Sequence, residues 1–152
     1  MTHATRIIAA VAVLVALAAG VQAQTPEIDA LRERAELGDA EAQVLLGATY
    51  ADGQGVPRDD AEAVRWFSLA AEQGSAGAQF NLGAMYGSGT GVPLDYVLGH
   101  MWLSLAASRP TGEERETAAE LRDLLRTQMT PEQIAEAQRL AREWDLAHPR
   151  NP

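Results

Sequence analysis

Small and apolar residues recur three or four positions apart along most of the chain. Glycines, prolines and short polar residues interrupt them at regular intervals. Ala42, Leu46 and Tyr50 form one such series, and a second series follows between residues 63 and 70. Because an α-helix turns once in about 3.6 residues, each series falls on one helical face. The pattern predicts an all-α chain of short helices joined by tight turns.

The pattern repeats with a period of 36 residues. Residues 38–73 align with residues 74–109 without a gap, and 18 of the 36 positions are identical. Shifting back by one period aligns Ala35 and Glu36 with Ala71 and Glu72, which indicates a half repeat at 27–37. A period of this length is typical of solenoids. We therefore predict an α/α superhelical solenoid.

Capping residues stand at the same places in both units. The N-caps predicted for their helices are Asp39, Asp59, Ser75 and Asp95. Glu62, three residues after Asp59, predicts a capping box. Each first helix is expected to end before Gly53 or Gly89, because glycine adopts the left-handed conformation that closes a helix.

Residues 110–147 have no repeat signature. Thr111 with Glu114 predicts one helix start, and Thr130 with Pro131 and Gln133 predicts another. The apolar residues of the second helix share one face: Ile134, Ala137, Ala141 and Trp144. We predict a closing helix pair with a polar outer side, as terminal solenoid units have, and a disordered tail at 148–152.

The composition of the chain excludes several kinds of functional site. The chain has 29 alanines, no cysteine and no lysine, and its 12 arginines and 21 acidic residues give a net charge of −9. Sites that need a cysteine thiolate or a lysine amine are excluded. The acidic balance argues against general nucleic-acid binding.

The first 23 residues have the layout of a secretory signal peptide. Arg6 precedes a 13-residue apolar run, residues 7–19, and Val21 and Ala23 provide small residues before a cut after Ala23. The run is shorter than the roughly 20 residues that span a membrane. We expect a periplasmic protein with a net charge of −10 after cleavage (11 arginines, 21 acids). An inner-membrane anchor formed by an uncleaved segment is the alternative.

The repeat resembles the Sel-one-like repeat, a relative of the tetratricopeptide repeat. In the first unit the residues that carry the resemblance are Gly38, Ala42, Leu46, Gly47, Tyr50, Gly53, Gly55, Val56, Asp59, Ala63, Trp66, Ala70 and Ala71. The second unit departs from the pattern at Gly99, where alanine is expected. Because glycine inside a helix costs about 1 kcal/mol against alanine, we expect a looser helix there. The resemblance implies a protein-interaction function.

Few residues suggest chemistry. Trp66 and Trp102 hold one repeat position and are interpreted as core residues, and Asp59 and Asp95 as helix caps. His100 is interpreted as a surface or partly packed residue without a metal-binding role, because no second histidine stands at helical spacing. No cofactor and no metal site are expected.

Positions that differ between the units are free of their shared packing demand, so we predict that they form a binding stripe on the concave helix surface. The predicted residues are Glu41, Leu45, Thr49, Asp52, Asn81, Met85 and Ser88. The expected partner is a protein or peptide with a basic patch, with no nucleic acid and, after cleavage, no membrane. Two alternatives to a non-catalytic adaptor are a cell-wall-acting hydrolase and a structural subunit of an envelope complex, which would expose an apolar end face at Trp144.

Overall fold

The computed structural model describes residues 25–108 and 114–149, and all regular structure in these two ranges is helical. The helices are α1 (Pro26–Glu36), α2 (Ala40–Asp52), α3 (Asp60–Glu72), α4 (Ala76–Ser88), α5 (Tyr96–Ala107), α6 (Glu114–Arg126) and α7 (Pro131–Ala147). The half repeat is α1, the two repeats are α2–α3 and α4–α5, and successive helices from α1 to α6 pack against each other. The predicted α/α solenoid is confirmed. The predicted signal peptide and the Thr111 cap lie outside the described residues.

The four predicted N-caps of the repeats are confirmed. The Asp39 carboxylate accepts the Ala42 amide at 3.1 Å, and the Asp59 carboxylate accepts the Glu62 amide at 3.0 Å. Gly53 and Gly89 close the first helices at φ 67° and 69°. The capping box at Asp59 is incomplete, because the Glu62 carboxylate pairs with Arg65 at 3.1 Å. The reciprocal box at Thr130 and Gln133 is present.

The repeated tryptophans are core residues, as predicted. Trp66 is 2% exposed and Trp102 is 6% exposed. Trp66 packs in a cluster with Ala35, Ala42 and Leu46, and the residues 36 positions later surround Trp102. The indole N–H of Trp66 has no hydrogen-bond partner.

Gly99 brings α4 and α5 together instead of loosening α5. A Cβ at this position would lie 3.0 Å from the amide nitrogen of Gly87 and 3.1 Å from the carbonyl oxygen of Gly83. Both atoms belong to the α4 backbone and cannot rotate away. The glycine that departs from the repeat pattern is therefore a requirement of close helix packing.

The two predicted closing helices are present as α6 and α7. Helices α6 and α7 do not pack against each other as a hairpin; each packs on α5. Leu125 of α6 clusters with Leu103, whereas Trp144 of α7 clusters with Trp102 and Leu105. Helix α5 is apolar around most of its circumference, so two of its faces are buried against other helices.

The prediction of a disordered tail at 148–152 is wrong at its first residue, His148. The His148 ring stacks on Trp144 with ring centroids 4.1 Å apart, and its Nδ1 lies 2.9 Å from the Trp144 carbonyl oxygen. Residues 150–152 lie outside the described part of the chain.

Candidate interaction surface

Four of the predicted binding residues follow one line along α2. Glu41, Leu45 and Asp52 are exposed, and Thr49 between them is half-buried. The Thr49 hydroxyl donates to the Leu45 carbonyl oxygen at 2.8 Å. Leu45 leaves 48% of its surface in solvent. We call these four residues the α2 face: an apolar centre with a carboxylate towards each end.

Helix α4 extends this surface less than the sequence predicted. Asn81 is half-buried, and its amide donates to the Gly77 carbonyl oxygen at 2.8 Å. Ser88 is exposed and its hydroxyl donates to the Met85 carbonyl oxygen at 3.3 Å. These contacts leave Ser88 accessible and hold Asn81 against its own helix.

The prediction that Met85 belongs to the binding stripe is wrong. Met85 is 8% exposed and lies in the main hydrophobic cluster, against which Val44, Ala48 and Ala51 of α2 also pack. Its counterpart Thr49 is half-buried, because no first helix of a repeat precedes α2 in the described chain. A position that differs between repeats is therefore a core position in α4, where a preceding repeat exists.

His100 is buried, so its interpretation as a surface or partly packed residue is wrong. The side chain is 2% exposed, its Nδ1 lies 3.3 Å from the Ser104 hydroxyl, and its Nε2 has no partner. Burial lowers the pKa of His100, and the nearby Arg122 and Arg126 lower it further. The neutral ring is favoured. Across residues 25–108 and 114–149 no group of three or more His, Cys, Asp or Glu side chains is placed to hold a metal ion.

The structure agrees with the interpretation of Asp59 and Asp95 as helix caps and differs from the expected apolar end face at Trp144. Asp95, like Asp59, accepts a backbone amide at the start of its helix, at 2.9 Å from Leu98. Trp144 is 8% exposed, so the expected apolar end face is not present at this residue.

Sequence reasoning missed a cleft between the C-terminal ends of α1 and α3. It has a volume of about 480 Å³, and the residues that line it include Ala35, Glu36, Trp66, Leu69 and Gln73. Leu69 is 44% exposed, whereas Leu105, the same residue one repeat later, is 1% exposed. The 36-residue offset that relates Leu69 to Leu105 was visible in the alignment, but the cover that helix α7 provides over Leu105 was not.

Within residues 25–108 and 114–149, none of the helices combines the length and the apolar character that a bilayer crossing requires.

Comparisons with known proteins agree with this architecture. The Sel1 repeat family model matches residues 40–75 and 76–110. Among solved structures, the protective antigen c5321 of uropathogenic Escherichia coli, which displays an SLR fold, is similar at 32% identity and a TM-score of 0.71 over 78% of this chain. A Sel1 repeat protein from Oxalobacter formigenes is similar at 41% identity and a TM-score of 0.56 over 60% of this chain.

The chains of both solved structures are longer than this one. The chain spans 25% of the first and 26% of the second. A comparison with curated proteins finds no match. Two family-model matches in tandem, on helices that pack as repeats, show that the chain belongs to the Sel1 repeat family.

Proposed function

We propose that the chain is a non-catalytic interaction scaffold of the bacterial cell envelope, which binds a protein or peptide segment across the α2 face. Sel1 repeat proteins are generally protein-interaction scaffolds. The observation that carries the proposal is Leu45: an exposed leucine at the centre of a helical line, with Glu41 and Asp52 on either side. An apolar centre with a polar rim is the usual layout of a protein–protein interface.

The charge of the chain favours a partner with a basic patch. After removal of residues 1–23 the net charge is −10, from 11 arginines and 21 acidic residues. Complementary charge mainly raises the rate of association and selects partners. Glu41 and Asp52 place two of these carboxylates beside the apolar anchor.

Capture from envelope extract tests the surface. We expect Leu45→Arg to reduce capture of the main partner at least tenfold, and Leu94→Arg to leave it unchanged. Leu94 is the matched control because it is 54% exposed, close to the 48% of Leu45, and lies outside the α2 face. Equal capture by both variants would reject the α2 face. Release of soluble fragments from purified cell wall by the chain would reject the non-catalytic assignment.

Export is part of the same proposal and has its own test. The apolar run and the small residues before Ala23 support cleavage after that residue. Intact-mass analysis of the periplasmic fraction should find a chain that begins at Gln24. A full-length mass in the membrane fraction would show the uncleaved anchor instead.

A further inference from the structure

The cleft between α1 and α3 is the counterpart, one repeat earlier, of a groove that the chain itself fills. Its walls recur 36 positions later on α3 and α5, in the pairs Ala35 and Ala71, Glu36 and Glu72, Trp66 and Trp102, and Leu69 and Leu105. The later groove shows which ligand this arrangement of side chains accepts.

Helix α7 occupies the later groove through Trp144. The indole N–H of Trp144 donates to Oε2 of Glu72 at 3.1 Å. Its ring meets Trp102 edge-on, with centroids 6.0 Å apart and planes at 67°. Leu105 is 1% exposed beneath it. The groove thus offers a carboxylate acceptor at its rim and an apolar floor, and a tryptophan on a helix satisfies both.

The earlier cleft keeps the same acceptor and floor in an open state. Glu36 is exposed at the rim, and Leu69 remains 44% exposed on the floor. The main difference is Arg65, which stands in place of Met101. Its guanidinium lies over the Trp66 ring, 4.1 Å from the ring centre, and is paired with Glu62, so it covers one face of this tryptophan.

We propose that the α1–α3 cleft binds an amphipathic helix of a partner protein that carries a tryptophan on its apolar face. The indole N–H donates to Glu36, and the ring packs against Leu69 and the Arg65 guanidinium that covers Trp66. A separate partner is favoured over a second copy, because Trp144 of this chain is held in its own groove by Glu72 and Trp102. The cleft shares no residue with the α2 face, so this surface is additional to the one proposed above.

A synthetic peptide with the sequence of residues 130–149 is the probe, because α7 is the helix known to fit this groove type. Fluorescence anisotropy of the labelled peptide against the whole chain should show saturable binding. Replacing the tryptophan of the peptide, Trp144→Ala, should weaken binding at least tenfold. In the chain, Leu69→Glu should have the same effect, and Leu94→Glu is the matched control. Glu36→Gln should weaken binding severalfold. Because Glu36 is exposed, this substitution should keep the fold, so it tests the cleft even in the case that the Leu69→Glu protein does not fold.

The outcomes separate the competing explanations. Peptide binding that survives both Leu69→Glu and Glu36→Gln would mean displacement of α7 from its own groove and would overturn the proposal. Self-association of the chain that Leu69→Glu abolishes would assign the cleft to a second copy and would overturn the partner assignment. Leu45→Arg should leave peptide binding unchanged, so failure of the α2 face and failure of the cleft are told apart.

Discussion

Replacing Gly99 by alanine puts helix propensity and close packing in opposition. The repeat pattern places alanine at this position in the first unit, as Ala63, so the substitution restores the pattern. Propensity alone would stabilise the protein by about 1 kcal/mol. In the structure, however, the new Cβ would lie 3.0 Å and 3.1 Å from backbone atoms of Gly87 and Gly83, and 2.9 Å from Cδ1 of Leu125.

Two of these three neighbours are backbone atoms, so α4 and α5 must separate to admit the methyl group. Overpacking a close-packed interior costs about 1–3 kcal/mol. The rigid backbone neighbours put Gly99→Ala in the upper part of that range. With the propensity gain subtracted, we expect a net destabilisation of about 1–2 kcal/mol.

Gly77→Ala is the matched control for this experiment. It lies in α4, and its new Cβ would meet only Glu114, at 3.8 Å. The substitution should stabilise the protein by about 0.4–1 kcal/mol, mainly by restricting the unfolded chain. Urea unfolding followed by circular dichroism measures both variants. A Gly99→Ala protein that is more stable than wild type would refute the packing argument.

Three further substitutions test other parts of the structure. Trp66→Ala should destabilise the protein by about 3–5 kcal/mol in urea melts, as buried tryptophan truncations do; a loss below about 1 kcal/mol would mean that the residue behaves as a surface residue. Asp95→Ala should cost about 1 kcal/mol by removing a helix cap, again measured by urea unfolding. His100→Leu should flatten the pH dependence of stability. Because the folded state lowers the pKa of His100 below its ordinary value of 6.5, the unfolded chain binds the proton first, and wild type loses stability as the pH falls through that region. Unfolding free energies at pH 7.5 and 5.5 check this, and an equal loss in both proteins would contradict it.

The repeat period made most of the fold predictable. A cap such as Ser75 or a turn glycine such as Gly53 acts within a few residues, so its role is visible in the local sequence. The core role of Trp66 was also predictable, because the same residue recurs one period later. These predictions depend on local geometry or on demands that both units share.

The arrangement of the C-terminal helices was not predictable in the same way. Neighbouring helices joined by a short turn usually pack as a hairpin, and this general rule would favour contact between α6 and α7. In this chain α6 and α7 each pack on α5 instead, because Leu103 and Leu105 are both buried and lie in different hydrophobic clusters. Burial of His100 has the same origin, since α6 brings Arg122 and Arg126 to a helix that the sequence could not place beside it.

Comparison of the two units locates shared core positions, but it cannot locate binding surfaces, because the units have different neighbours. Leu69 and Leu105 are the same residue at the same repeat position, yet one is 44% exposed and the other 1%. Thr49 and Met85 differ in sequence, and it is the residue in the interior repeat that is buried. Both differences arise because the second repeat packs against α2 on one side and α7 on the other, and in the described part of the chain the first repeat has no counterpart of either helix beside it. In this chain the exposed apolar groups of Leu45 and Leu69 therefore belong to the first repeat, and the partners proposed for them would complete the packing that α4, α5 and α7 already show.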